Sequence, residues 1–184
     1  MIIAYHVIFT TYGTWLPNDP RGSYSKTVYD AELKALGDVR HGKQNPQPNA
    51  TSLRRFWTAS RGALKRPPFF IDDSKRGIIA QGFARVVQRL GLTARACAIM
   101  NDHVHLLWNR SDHRIAYVIG QFKSAGTHAL GLSETPWTKG AWKVFIADTE
   151  TISSAARYIE MNPINAGREP QHWNFITPLS PNNA

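Results

Sequence analysis

Two apolar runs, residues 93–100 and 103–108, lie on either side of Asn101-Asp102. Each run has strand length and the residues between them are turn formers, so the segment predicts a tight β-hairpin. The one clear strand pair in the chain is therefore antiparallel. The β-branched and aromatic residues of 1–12 read as a first strand. Asp72-Asp73-Ser74 offers N-caps for a helix from about 74 to 90. Ile78, Ile79, Ala80, Phe83, Val86, Val87 and Leu90 give that helix its apolar stripe, and Gly91 stands where a C-cap falls. A second helix is expected over about 112–130, with Ile115, Val118, Ile119, Phe122 and Leu130 facing inward. Val144-Phe145-Ile146 reads as a short strand. Asp148 or Thr149 can cap a final helix ending near Pro163, and the tail from 170 is irregular. The order is strand, insertion, helix, hairpin, helix, short strand, helix. That order predicts an α+β fold, an antiparallel sheet with helices packed on one face. The 184 residues suit a single domain carrying an insertion at about 13–70.

The insertion has its own character. Residues 13–22 are dense in turn formers, and residues 27–36 resemble a short helix. Residues 39–71 contain Arg40, Lys43, Arg54, Arg55, Arg61, Lys65 and Arg66 with no Asp or Glu. Pro46, Pro48, Pro67 and Pro68 break up the stretch, which reads as an extended basic arm or loop. Phe56, Trp57, Phe69 and Phe70 are interleaved with the charges. They can stack on exposed bases or pin the arm to the core. The chain as a whole has 22 Lys and Arg against 13 Asp and Glu, a net charge of +9. Such a balance attracts polyanions, of which nucleic acid is the commonest. A hydrophobic fraction of 42% argues against wholesale disorder. The single cysteine, Cys97, excludes a disulfide framework and a Cys-built zinc site; it sits in an apolar run as a small core residue. No stretch approaches transmembrane length and the N-terminal residues have no basic region of a signal peptide, so the expectation is a cytoplasmic protein without a membrane partner.

His103-Val104-His105 carries the chemistry. On a strand the two imidazoles share a face while Val104 points to the other side, and such a pair can hold a divalent metal. Tyr158 and Asn162 lie one helical turn apart on one face of the final helix. An amide oxygen can ligate a hard cation, and a phenolate can attack phosphorus. Tyr158 can equally be a core aromatic and Asn162 a helix C-cap. The two pairs support one another only if strand and helix face each other.

Ala98-Ile99-Met100-Asn101-Asp102-His103-Val104-His105-Leu106-Leu107, followed by Tyr158-Ile159-Glu160-Met161-Asn162-Pro163, resembles the single-tyrosine HUH transposases of the IS200-like type. Within these it is most similar to the REP-associated tyrosine transposase branch. Ala4-Tyr5-His6-Val7, the segment 13–22 and Pro136-Trp137-Thr138-Lys139-Gly140-Ala141-Trp142 also resemble family segments, while 27–66 matches least. The resemblance implies a ferredoxin-like fold. It implies that His103 and His105 are metal ligands, that Asn162 completes the site where many relatives carry glutamine, and that Tyr158 is the nucleophile. The implied cofactor is Mg²⁺ or Mn²⁺. The implied reaction is cleavage and rejoining of single-stranded DNA at hairpin-flanked sites through a 5′-phosphotyrosine. Lys123 is implied to contact a phosphate or the leaving group. Arg21, Arg54, Arg55, Lys65, Arg66 and Lys139 are further candidate DNA contacts. The resemblance also implies a bacterial protein associated with the nucleoid, while monomer and homodimer both remain open. A replication-initiator-type nickase, a domesticated protein that holds hairpin DNA without cutting it, and a metal hydrolase are the competing readings. The last would need more carboxylates, and Asp102 is the only acid beside the pair.

Overall fold

Alternation of large apolar residues extends Ala4–Thr10 as strand β1, with Val7 and Phe9 fully buried on one side of it. The computed structural model describes residues 1–179. Its elements continue as α1 (Ala31–Ala35), α2 (Ala50–Ala63), α3 (Asp73–Leu90), β2 (Ala94–Ile99), β3 (His103–Asn109), α4 (Ile115–Ala129), β4 (Trp142–Ile146) and α5 (Thr149–Asn165). They divide into two compact units. One comprises Met1–Thr10 and the chain from Ile71 on, and the other is Thr11–Phe70.

In the first unit four strands form one antiparallel sheet in the order β2-β3-β1-β4. With α3 between β1 and β2 and α4 between β3 and β4, this is the ferredoxin-like arrangement. The expected hairpin is β2-β3, turning at Asn101-Asp102. Asp72 accepts from the Lys75 N–H at the start of α3, and Gly91 closes that helix in the left-handed region at φ 58°. Arg76 is buried. It donates from Nε to the Ile99 carbonyl at 2.7 Å and pairs with Asn101 and Asp73, tying the start of α3 to the hairpin tip.

The two sheet faces are covered by different helices. Val7, Phe9, Leu106 and Trp108 point to one face. There Phe83 of α3 and Phe122 of α4 meet edge-on with ring centroids 5.1 Å apart, Phe83 contacts Phe9 and Phe122 contacts Trp108. The other face carries Ala4, Ala96, Ala98, Leu107 and Ile146, and packs against Ile152, Ala156 and Ile159 of α5. Each fully buried Phe or Ile here contributes about 1.5–3 kcal/mol by burial. The α+β class and antiparallel sheet are as expected. The expectation that the helices share one face is corrected: burial of Ile152, Ala156 and Ile159 against Ala96, Ala98 and Leu107 puts α5 on the face opposite α3 and α4, and that is the face to which His103 and His105 point.

One boundary lies slightly beyond expectation. The final helix, expected to end near Pro163, runs to Asn165: the proline lacks only its own N–H, and the turn around it is closed by the Ala166 N–H on the Asn162 carbonyl and the Arg168 N–H on the Pro163 carbonyl. The irregular tail has a task. Gln171 accepts from the Ile99 N–H and donates to its carbonyl, Trp173 donates to the Cys97 carbonyl and the Thr177 N–H to the Ala94 carbonyl. These contacts cover the open edge of β2.

The second unit corrects the picture of an extended arm. Residues 50–63 form α2, a helix of 14 residues, with the Asn49 side chain capping it at the Ser52 N–H. The prolines at 46, 48, 67 and 68 flank the helix rather than interrupt it. Leu53, Phe56, Trp57, Ser60 and Leu64 recur at helical spacing and turn inward or halfway inward.

Candidate active site

Strand alternation brings His103 and His105 to the α5 face, and antiparallel register adds a third histidine. β1 lies beside β3 with Ile8 opposite His105 and Thr10 opposite His103, so His6 projects on the same side one step along. His6 and His105 share a hydrogen bond, Nε2 to Nδ1, at 3.0 Å, and their rings stack with centroids 5.3 Å apart. His103 donates from Nδ1 to Asp102 Oδ1 at 2.6 Å. The His103 and His105 rings stand 4.8 Å apart, edge to face.

Across the sheet face, α5 delivers Tyr158. Asp148 caps the helix by accepting from the Thr151 N–H at 2.7 Å, and Ile152, Ala156 and Ile159 seat it. The helical period then turns Tyr158 toward the imidazoles, with its ring 5.7 Å from His105 and 6.2 Å from His6. Tyr158 remains 54% exposed, so a long substrate can reach the phenol from solvent. The condition that strand and helix face each other is met.

Burial sets the charge state of the pair. His105 is 3% exposed, and desolvation, reinforced by the neighbouring His103 and His6, holds its pKa down to about 2. Desolvation alone lowers His6 to about 4. Both rings are neutral at physiological pH, the form an imidazole needs to bind a metal.

The donor chemistry fits a divalent cation. With Nδ1 of each ring held by Asp102 or by His6, His103 and His105 both have Nε2 left to offer, the arrangement in which outer partners orient metal-binding imidazoles. Among the described residues no three His, Cys, Asp or Glu side chains are grouped to hold an ion. A site built on this pair therefore needs a donor of another kind. Asn162 lies one turn beyond Tyr158. Its amide nitrogen donates to the Tyr158 carbonyl at 2.7 Å, which leaves its oxygen as the acceptor.

His6 escaped the sequence reading because the contact spans 99 residues. The available signal was a histidine at an inward-facing position of a predicted strand, which places a polar ring where only a polar partner can satisfy it.

Neither a family model nor any curated protein matches the sequence. Among solved structures, the REP-associated tyrosine transposase bound to a REP hairpin is similar over 90% of this chain and 68% of that one. The TM-score is 0.51 and the identity 13%. The fold is that of a REP-associated tyrosine transposase. A proposed transposase from Deinococcus radiodurans has a TM-score of 0.38 and 14% identity, covering 87% of this chain and 90% of that one, and is too distant in shape to inform the site.

On this fold the basic candidates fall into different settings. Lys123 of α4 donates to the Thr138 carbonyl at 2.8 Å and also to the Gly140 carbonyl, so two of its three donors hold the segment before β4. Burial, with Lys143 nearby, lowers its pKa to about 8. Trp137 fixes the same segment: its indole donates to the Lys123 carbonyl, and its ring lies where a side chain on Gly126 would be, 2.9 Å from the position of such a Cβ. Lys139 is exposed beside them. In the second unit, Arg21 is clamped by Asp19 at 2.7 Å and sandwiched by Trp15 and Trp57, a structural setting. Arg66 lies over Tyr12 at 4.3 Å. Arg54, Arg55 and Lys65 are exposed.

Proposed function

We propose that this protein is a metal-dependent transposase that cleaves and rejoins single-stranded DNA by tyrosine transesterification, at sites flanked by hairpins. The observation that supports this most directly is the placing of the Tyr158 ring within 6.2 Å of two buried imidazoles that share the face of β3 and β1. His103, His105 and Asn162 would hold a Mg²⁺ or Mn²⁺. When bound, that ion supplies charge neutralisation on a non-bridging phosphate oxygen. Asp102 and His6 keep the two imidazoles in the tautomer that presents Nε2. The Tyr158 oxygen bonds to phosphorus as the bond to the 3′ oxygen breaks. The phenol loses a proton and the 3′ oxygen gains one, giving a 5′-phosphotyrosine and a free 3′-OH. One phosphoester replaces another, so a new 3′-OH can reverse the step and join strands without ATP.

The solved transposase of the same fold was bound to a REP hairpin, which supports a hairpin-containing DNA as the substrate here. The test is incubation of the protein with labelled single-stranded hairpin DNA and Mn²⁺, followed by a denaturing gel. The wild type should form a covalent adduct and Tyr158→Phe should form none while still binding DNA. An adduct with the Phe variant removes Tyr158 as nucleophile.

A further inference from the structure

None of the residues assigned to the transesterification lies in the unit Thr11–Phe70, yet this unit holds ten Lys and Arg against four Asp and Glu, +6 of the chain's +9. A cleft of about 580 Å³ opens within it. Its aromatic wall is made by Phe56 and Trp57 of α2 and by Phe70, which is 47% exposed. Arg61, Lys65 and Arg66 line the same cleft, with Arg61 one turn beyond Trp57 on one face of α2. Asp19 is the one acid on the lining, and it is already paired with Arg21. Gly13 takes φ 74°, and a Cβ there would come within 3.0 Å of Leu64 and Pro68, so the loop wall lies close against the helix end.

Flat apolar rings beside the exposed cations Arg61 and Lys65 match a ligand with a flat base and a negative group. A cleft of this size lies in the range of small-ligand sites. Stacking of a base on aromatic side chains contributes about 1–3 kcal/mol and tolerates any sequence, while arginine and lysine take the phosphate. A base inside a duplex is paired and stacked and cannot enter. We propose that the cleft seats one unpaired nucleotide of a DNA strand, its base against Phe56, Trp57 and Phe70 and its phosphate on Arg61 and Lys65. This rests on the reading that the protein handles single-stranded DNA, and gives that DNA a second foothold apart from the tyrosine site.

The test measures binding of a short fluorescent oligothymidylate to the full chain across a salt series, with and without Arg61→Ala plus Lys65→Ala. Both residues are exposed, so the fold tolerates the change. Losing the grip on that one phosphate should make the slope of log K against log salt shallower by about 0.7, the value per neutralised phosphate on a single strand. Photocrosslinking of a 5-bromouracil oligonucleotide should label Phe56, Trp57 or Phe70. An unchanged slope, or crosslinks confined to residues outside 11–70, overturns the proposal; so does an equal change of slope with a duplex. The adduct assay separates this result from the main reading. An adduct with an unchanged slope removes the cleft and keeps the reaction, whereas a shallower slope in a protein that forms no adduct keeps the cleft and removes the reaction.

Discussion

Replacing His6 by Phe keeps a flat ring in place and takes away the nitrogen that meets His105. Near pH 7.5 both imidazoles are neutral, so the immediate cost is the His105 Nδ1 left without a partner in a buried site. That costs about 1–3 kcal/mol. Acid adds a second term in the wild type. His6 titrates near 6.5 in the unfolded chain and near 4 in the folded one. Between those values the unfolded state binds more protons, so wild-type stability falls as pH falls. The gap of about 2.5 pH units, at about 1.36 kcal/mol each, sets a ceiling of about 3.4 kcal/mol on the loss. The contribution is complete above pH 6.5 and gone below pH 4. The Phe variant has no such group. His105, also held neutral by burial, acts in both proteins. The variant should therefore be less stable near neutrality, and the two stability curves should converge by about pH 4.5. Urea titrations read by pulsed hydrogen exchange on β1 and β3 amides report on this sheet alone. A constant offset across the pH range, or no offset near pH 7.5, would refute the reasoning.

Three further outcomes are expected. His6→Phe and Asp102→Ala should each weaken Mn²⁺ binding by about 10–100-fold in calorimetry, since each removes an outer partner of a ligand; unchanged affinity would detach those residues from the metal. Phe83→Ala, at a fully buried ring between Phe9 and Phe122, should cost about 3–5 kcal/mol in urea unfolding. Gln171→Ala should cost about 1–3 kcal/mol and speed exchange at the Ile99 amide, because that buried N–H loses its acceptor while the Ile99 carbonyl keeps Arg76. Exchange there at the wild-type rate would show that the tail does not guard the edge.

Much of this was legible in the chain because it is local. A strand has period two, so His103 and His105 had to share a face once 103–108 was a strand. Asp72, Gly91 and Asp148 mark helix ends through chemistry confined to one turn. The α2 helix is written in the helical spacing of Leu53, Phe56, Trp57, Ser60 and Leu64, and the prolines at 46, 48, 67 and 68 lie outside it.

The rest depends on residues far apart in sequence. Nothing local tells His6 that it will lie beside His105; the β1-β3 register decides that. Nothing local places α5 on the histidine face rather than with α3 and α4. Burial of Ile152, Ala156 and Ile159 against Ala96, Ala98 and Leu107 does so, and it carries Tyr158 with it. The sequence alone determined which side chains could do the chemistry. The tertiary structure decided that they meet, because cross-strand pairing and helix packing are set by the whole core at once.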